Sequence, residues 1–152
     1  MMIIAHRANI NGPNPETENT PQQILLAIEK GFDVEVDVWY KDGEWYLGHD
    51  ESSHKVDWSF ISSNAGKLWV HAKNLDAVEI LSKNQNNIFN VNWFWHQEDY
   101  VTLTSKGYVW CFPGYETDGG IMVDHGQQTD KNMFGICTDN PLKHRSHWRW
   151  TQ

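Results

Sequence analysis

Cysteine and long apolar runs are scarce in this chain of 152 residues. The two cysteines, Cys111 and Cys137, show no CxxC spacing, which argues against a disulfide scaffold and predicts two buried, reduced thiols in a cytoplasmic protein. No stretch approaches the roughly eighteen apolar residues of a membrane span. Polar residues begin at His6, before a signal peptide of ordinary length is complete. We therefore expect a cytoplasmic protein without a membrane span.

Basic residues are also few, with 12 Lys and Arg against 20 Asp and Glu and a net charge of −8. A nucleic-acid partner is not expected, because neutralising its phosphates requires clustered Lys and Arg. Internal repeats, low-complexity tracts and Pro- or Ser-rich linkers are absent from the sequence. Aromatic residues, in contrast, make up 13% of the chain and include nine Trp, as is typical of folded domains. The length then predicts one domain over residues 1–152.

Hydrophobic periodicity predicts strands that alternate with short helices. In the second strand Val34, Val36 and Val38 alternate with polar residues, a period of two. The predicted strands are Met1–His6, Phe32–Tyr40, Trp45–Gly48, Lys67–Ala72, Ile88–Phe94, Tyr108–Phe112, Ile121–Val123 and Gly135–Thr138. The predicted helices begin at the caps Thr20 and Asn74, and a third covers Gln97–Lys106.

This alternation is typical of an α/β fold with a mainly parallel sheet. A full eight-fold barrel needs about 200 residues or more. The sequence therefore predicts a single-domain, shortened or incomplete (β/α) TIM-type barrel with mainly parallel strands. A flat doubly wound sheet is the alternative, but it normally has a Gly-rich loop after its first strand. This chain has His6-Arg7-Ala8-Asn9 at that position.

Polar residues collect at the predicted strand ends, where barrel enzymes keep their active sites. Glu35 and Asp37 lie two apart on one strand, so both side chains point to the same face, and His71 and Lys73 repeat that spacing. Each pair alone is more typical of a solvated strand face. Their joint spacing favours one polar pocket. Its candidate residues are His6, Arg7, Glu35, Asp37, His49, His71 and Lys73.

Several short motifs follow one another along the chain. They are His6-Arg7, Glu18-Asn19-Thr20, Gly31 to Val38, Asp42-Gly43, His49-Asp50, His71-Ala72-Lys73, Val109-Trp110 and Thr138-Asp139-Asn140-Pro141. Their order resembles the glycerophosphodiester phosphodiesterase family, whose signature begins His-Arg-Gly, Pro-Glu-Asn-Thr, Gly-x-x-x-Glu-x-Asp-Val, Asp-Gly, His-Asp. Ala8 stands where the family has Gly, and His71 stands where it has a metal-binding Glu.

The resemblance implies one divalent metal ion. Glu35 and Asp37 would hold it, with Ca²⁺ or Mg²⁺ expected from the oxygen ligands. His71 as a third ligand would move the preference towards Mn²⁺ or Zn²⁺. The alternative is that His71 only hydrogen-bonds to a carboxylate ligand.

The resemblance also implies the hydrolysis of a small phosphodiester that carries a free hydroxyl beside the phosphate. His6 and His49 would act as acid and base, because imidazole titrates near working pH. Arg7 and Lys73 would bind the phosphate oxygens. Trp110 would stack on the alcohol part of the substrate, although a core position explains it equally well.

Three alternatives or additions stay open from the sequence. One is a non-catalytic domain that binds a phosphorylated headgroup or sugar, and another is a phosphoinositide-type phospholipase on a related barrel. Glu116, Asp124 and His125 are further ligand candidates, although a solvated loop is the simpler explanation for each.

We also expect a homo-oligomer, because a shortened barrel leaves strand edges or an apolar wall near Trp93–Trp95 to be covered.

Overall fold

The computed structural model describes residues 1–83 and 90–150, and places ten strands and four α-helices there. The strands are β1 (Met2–His6), β2 (Asp33–Lys41), β3 (Glu44–Leu47), β4 (His54–Val56), β5 (Leu68–Ala72), β6 (Asn92–Trp95), β7 (Val101–Leu103), β8 (Val109–Cys111), β9 (Ile121–Val123) and β10 (Gly135–Thr138). The helices are α1 (Pro21–Glu29), α2 (Trp58–Ser63), α3 (Leu75–Lys83) and α4 (Pro141–Trp150).

All ten strands belong to one mixed sheet. Its parallel part runs β6-β5-β2-β1-β10-β9-β8. Antiparallel strands extend it at two places. At one, β3 pairs with the end of β2, and β4 pairs with β3; at the other, β7 pairs with β8. The backbone N–H of Ser105 donates to Trp93 O at 2.7 Å, and Thr102 donates to Trp95 O at 2.9 Å. The hairpin that carries β7 therefore lies beside β6.

The prediction of a shortened TIM-type barrel with mainly parallel strands is wrong. The sheet forms a half-barrel in which parallel and antiparallel pairs mix, and only 24% of the chain is helical. The chain from β8 to β9 contains Pro113, Gly114, Gly119 and Gly120 and returns without a helix. Turns take the place of a crossover helix between these two parallel strands, so the strict alternation of a (β/α) barrel is not kept. The curvature also rules out the flat doubly wound alternative.

The helix predicted over Gln97–Lys106 is also wrong, because this segment contains β7. Val101 and Thr102 are β-branched and favour a strand. Gly107, at φ +87°, belongs to the turn between β7 and β8, where Gly107 N donates to Thr104 O at 2.9 Å. The strand predicted to begin at Ile88 is observed from Asn92, and Ile88 and Phe89 lie outside the described residues.

The predicted helix starts are confirmed. Thr20 Oγ1 accepts a hydrogen bond from Gln23 N at 3.2 Å, and Pro21 is the first helical residue of α1. Asn74 Oδ1 accepts from Ala77 N at 3.1 Å at the start of α3. Among the described residues, no helix is both long enough and apolar enough to cross a bilayer.

The alternation within β2 separates the core from the polar pocket. Val34, Val36 and Val38 are fully buried in the cluster that also contains the inward residues of α1 and α3. Glu35 and Asp37 point to the opposite face, into the half-barrel. A second cluster fills that interior, and its members are Ile4, Trp69, Phe94, Trp110, Ile121 and Cys137. Cys111 and Cys137 are both buried and free, as predicted.

Candidate metal and phosphate site

Strand ends bring six of the seven residues predicted for the polar pocket to one cavity of about 230 Å³. The parallel register explains how, because His6 of β1 lies beside Glu35 of β2, and Asp37 of β2 lies beside His71 of β5. His49 follows β3, which pairs with the end of β2. These six polar residues are His6, Arg7, Glu35, Asp37, His49 and His71.

Glu35, Asp37 and His71 form a group that could hold a metal ion. One ligand atom from each lies within 4.8 Å of the others. His71 Nδ1 is 3.2 Å from Asp37 Oδ1 and 3.9 Å from Glu35 Oε1. Two carboxylates and one imidazole, all buried, are a common donor set for divalent ions.

The orientation of the His71 ring fits a cation at this point. Its Nε2 lies 3.2 Å from the carbonyl oxygen of His96, which can only accept, so Nε2 carries the proton. In the neutral ring Nδ1 then presents a lone pair to Asp37. Asp37 Oδ1 is buried and accepts no hydrogen bond from the described residues. A positive charge between this lone pair and the orphaned carboxylate oxygen would stabilise both, and either a divalent ion or a second proton on His71 would supply it.

The two carboxylates differ in how strongly they are ionised. Burial raises the pKa of Glu35, and the negative charge of Asp37 raises it further. Burial also acts to raise the pKa of Asp37, but His49, His71 and Asn19 around it outweigh burial and hold that pKa well below its ordinary value. The protein alone thus stabilises one negative charge and opposes the second. A bound divalent cation would stabilise both.

Arg7 and His49 form a pair beside Asp37. Arg7 Nη2 lies 2.9 Å from His49 Nε2, and because guanidinium only donates, Nε2 is the acceptor. The proton of the neutral His49 ring is then on Nδ1, which lies 3.5 Å from Asp37 Oδ2. The guanidinium also reaches Glu18 Oε1, from Nη1 at 3.5 Å. Arg7 is therefore held in place on both sides.

His6 is oriented by Asp139, which follows β10. His6 Nδ1 donates to Asp139 Oδ1 at 2.9 Å, and His6 Nε2 lies 3.8 Å from Glu35 Oε2. Burial acts to lower the pKa of His6, but the bond to Asp139 and the charge of Glu35 outweigh it and raise that pKa. Asn9 donates to the same Asp139 oxygen at 2.9 Å. His6 therefore holds a proton more readily than a free imidazole does.

The turn after β1 is strained. Arg7 and Ala8 have φ values of 53° and 66°, in the left-handed region that favours glycine. For residues other than glycine this conformation costs about 1–2 kcal/mol each. The turn is held by Asn9 N, which donates to His6 O at 2.9 Å, and by Arg7 N, which donates to Glu35 Oε2 at 3.1 Å. Strain that is kept in place in this way is typical of functional sites.

The remaining predicted residues lie at the edge of the site or away from it. Lys73 Nζ is 3.9 Å from Asp37 Oδ1. Trp110 is only 5% exposed and stacks on Phe94 at 4.6 Å, so it belongs both to the core and to the pocket wall. The three further ligand candidates, Glu116, Asp124 and His125, are not part of the metal-donor group.

Sequence reasoning assigned no role to Asn19 and Asp139. Asn19 donates to Asp37 Oδ2 at 2.9 Å and accepts from Asp37 N at 3.0 Å, which fixes the carboxylate in place. Asn19 lies in the motif Glu18-Asn19-Thr20, and Asp139 lies in the motif Thr138-Asp139-Asn140-Pro141. Their place in these motifs was the sequence signal that could have identified them as site residues. His96, whose ring stacks on His71 at 5.0 Å, gave no signal beyond its place after an aromatic run.

Comparison with known proteins finds no matching family model, no matching curated protein and no matching solved structure. The resemblance to glycerophosphodiester phosphodiesterases therefore rests on the motifs alone.

Replacing Asn19 by Ala is expected to lower the free energy of unfolding by about 2–4 kcal/mol. The change leaves the buried N–H and carboxylate of Asp37 without their partner, and Asn19 has a φ of 58°, which alanine tolerates poorly. Urea unfolding measures the loss. Asn19→Gly is the matched control and should lose about 1 kcal/mol less, because it removes only the hydrogen bonds. Equal stability of wild type and Asn19→Ala would contradict this role.

Proposed function

We propose that this protein hydrolyses a small phosphodiester with the help of a divalent metal ion. One observation carries the proposal: a three-donor metal group and two histidines, each fixed in one tautomer, share a pocket with an arginine. The resemblance to glycerophosphodiester phosphodiesterases supports a glycerophosphodiester, or a similar diester with a polar headgroup, as the substrate.

The residues that would hold the metal are Glu35, Asp37 and His71. A divalent ion there would offset the negative charge of the phosphodiester and of the transition state. The two carboxylates favour Ca²⁺ or Mg²⁺, and the imidazole moves the preference towards Mn²⁺ or Zn²⁺.

The surroundings of the two histidines differ, and this difference suggests which of them acts as the base and which as the acid. His49 carries its lone pair on Nε2, where it accepts from Arg7, so it would be the base for the attacking hydroxyl once Arg7 turns to the phosphate. His6 has a raised pKa and a free Nε2 position, so it is the acid that protonates the leaving alkoxide. One P–O bond forms to the neighbouring hydroxyl of the substrate and one breaks to the leaving alcohol. The same two groups, with their roles exchanged, would then serve hydrolysis of the cyclic phosphate.

The cations in and beside the pocket would bind the non-bridging phosphate oxygens. Arg7 presents a planar fork of donors, and its Nη2 would turn from His49 to a phosphate oxygen and so free the His49 lone pair. Lys73 adds a compact positive charge beside Asp37.

A non-catalytic phosphate-binding domain is the second candidate, and one observation favours it. Arg7 Nε and Lys73 Nζ lie 4.0 Å and 3.9 Å from Asp37 oxygens. These cations already offset part of the negative charge, so the cluster has some internal balance without a metal. In that case the pocket would still bind a phosphorylated group but would release no product.

A screen of metals against substrates on the purified protein tests both candidates. Ca²⁺, Mg²⁺, Mn²⁺ and Zn²⁺ are each added to chelator-treated protein, with glycerophosphocholine, glycerophosphoglycerol and a phosphomonoester as substrates. We expect metal-dependent release of alcohol from the diesters and none from the monoester. Metal binding without turnover, measured by calorimetry, would contradict the enzyme. Calorimetric binding of a diester with neither metal binding nor turnover would favour the binding domain.

The protein is also expected to form a homo-oligomer. Trp93 and Trp95, which the sequence suggested as the interface, are half-buried against the main core. Val101 and Leu103 of β7 are exposed and are better placed for a contact with a second copy. Light scattering at micromolar concentration should give at least twice the monomer mass, and Leu103→Glu should reduce it. A stable monomer would end this expectation.

The two free thiols are consistent with the proposed cytoplasmic location.

A further inference from the structure

Four rings form an aromatic rim on the side of the pocket formed by the β7–β8 hairpin and the loop after β9. We use the name aromatic rim for Tyr100, Phe112, Tyr115 and His125. Three of these residues line the pocket, namely Tyr100, Phe112 and His125. Tyr100, Phe112 and Tyr115 are 57%, 44% and 47% exposed, which is unusual for large rings in contact with one another.

The four rings of the rim contact one another in a chain of pairs. Tyr100 and Tyr115 stack at 4.6 Å with only 8° between their planes. Phe112, in contrast, is inclined by 55° to Tyr100 and by 59° to His125, at centroid distances of 5.9 Å and 5.4 Å. Tyr100, Phe112 and His125 line the pocket together, so a cation that enters on this side lies within reach of several aromatic rings.

The backbone holds this arrangement in place. Phe112 N donates to Tyr100 O at 2.8 Å, which continues the β7–β8 hairpin, and Tyr115 N donates to Phe112 O at 3.1 Å. A rim that is already ordered loses little conformational entropy when it binds a ligand.

The charge at this side of the pocket favours a cation. Asp99, immediately before Tyr100, lines the pocket beside the rim. Among the described residues that line the pocket, Arg7 is the one Lys or Arg, and it lies beside the metal group through its contacts with Asp37 and His49. An anionic alcohol would meet Asp99 and a protein of net charge −8. An uncharged alcohol could pack against the rings but would lack the attraction between a cation and their negative faces.

We propose that the aromatic rim, together with Asp99, binds an alkylammonium group carried by the alcohol part of the ligand. The inference rests on the proposed function, which places the phosphate at the metal group and Arg7. A pocket with a phosphate end and an aromatic, acidic end is complementary to a zwitterion. The faces of the rings and the Asp99 carboxylate then distinguish this ligand from neutral alcohols of the same shape.

Equilibrium binding tests the inference without requiring turnover. The probes are phosphocholine and 3,3-dimethylbutyl phosphate, which has the same shape with carbon in place of the charged nitrogen. Calorimetry is done with Mg²⁺ present at about pH 8, where both phosphates are fully ionised. We expect phosphocholine to bind about tenfold more tightly. Equal affinity, or no measurable binding of phosphocholine, would overturn the inference.

Variants locate the preference. Phe112→Leu keeps an apolar side chain but loses the ring face, and Asp99→Asn keeps the shape but loses the charge. Each should weaken phosphocholine binding by about threefold or more and leave 3,3-dimethylbutyl phosphate unchanged. Leu103→Ala, on β7 but outside the pocket lining, is the control and should leave the ratio at its wild-type value. A wild-type ratio in both Phe112→Leu and Asp99→Asn would overturn the assignment to the rim.

Hydrolysis of glycerophosphocholine and glycerophosphoglycerol, measured in parallel, separates this inference from the proposed function. Selective binding without hydrolysis would support the rim and reject the enzyme. Hydrolysis of both diesters with no binding preference would support the enzyme and reject the rim.

Discussion

His6→Ala and His49→Ala are each expected to reduce phosphodiester hydrolysis by about 10²–10⁴-fold while leaving the fold intact. Each ring lies in the pocket with one nitrogen directed by a fixed partner, Asp139 for His6 and Arg7 for His49. Neither ring is part of the buried apolar core, so its removal should not unfold the protein. The measurement is kcat/KM for a glycerophosphodiester, with urea unfolding to establish that the variants are folded.

The leaving group distinguishes the two roles. A diester that releases nitrophenolate needs no acid, so the His6→Ala defect should shrink with that substrate, while the His49→Ala defect should persist. His54→Ala is the matched control, because His54 lies on β4 outside the pocket lining. Near wild-type turnover in a folded His6→Ala or His49→Ala variant would show that the acid and base are misassigned.

The local structure of the chain could be predicted because it depends on nearby residues. The alternation of valines with acidic residues in β2 indicates a strand, and it also separates the face that meets α1 and α3 from the face that meets the pocket. The caps at Thr20 and Asn74 are equally local, since each side chain bonds to a backbone N–H three residues later. These signals do not depend on the rest of the fold.

The architecture could not be predicted in the same way. A strand followed by a turn can continue as a parallel strand after a crossover or return as an antiparallel hairpin, and periodicity does not distinguish the two. The segment with Val101 and Leu103 shows the difficulty. Its polar beginning resembles a helix start, but pairing with β8 decides its structure. The mixed half-barrel follows from several such pairings, which no single segment encodes.

The grouping of the candidate site residues depends less on the architecture, because residues two apart on a strand must share a face in any sheet. Glu35 and Asp37 point the same way whether the sheet is a barrel or a half-barrel. What could not be predicted were the supporting contacts across the chain. Asp139 lies 133 positions from His6, and Asn19 lies 18 positions from Asp37. Such contacts depend on how strands pair across the whole chain, and the mixture of parallel and antiparallel pairs was the part of the fold prediction that was wrong.

His71→Glu is expected to change the metal preference of the site. It replaces a neutral imidazole, whose Nδ1 faces Asp37 Oδ1 at 3.2 Å, by a third carboxylate. The additional negative charge and hard oxygen should raise Ca²⁺ or Mg²⁺ affinity and lower the preference for Mn²⁺, by about tenfold or more in the affinity ratio. His71→Ala, which removes the ligand, should weaken Mn²⁺ binding by at least a similar factor. Calorimetric titration of chelator-treated protein measures both changes directly, and hydrolysis supported by each metal should follow the same order.

The control for charge is His71→Gln, which has the shape of the glutamate variant but no negative charge. All three variants lose the stacking of the ring on Phe94 and His96, so a general loss of packing would affect them alike. If His71 is a ligand, the glutamate variant should favour hard ions and the glutamine and alanine variants should bind metal weakly. If His71 only hydrogen-bonds to Asp37, metal affinity and preference should be unchanged in both His71→Glu and His71→Ala. That result would leave Glu35 and Asp37 as the protein ligands and would remove the reason to expect Mn²⁺ or Zn²⁺.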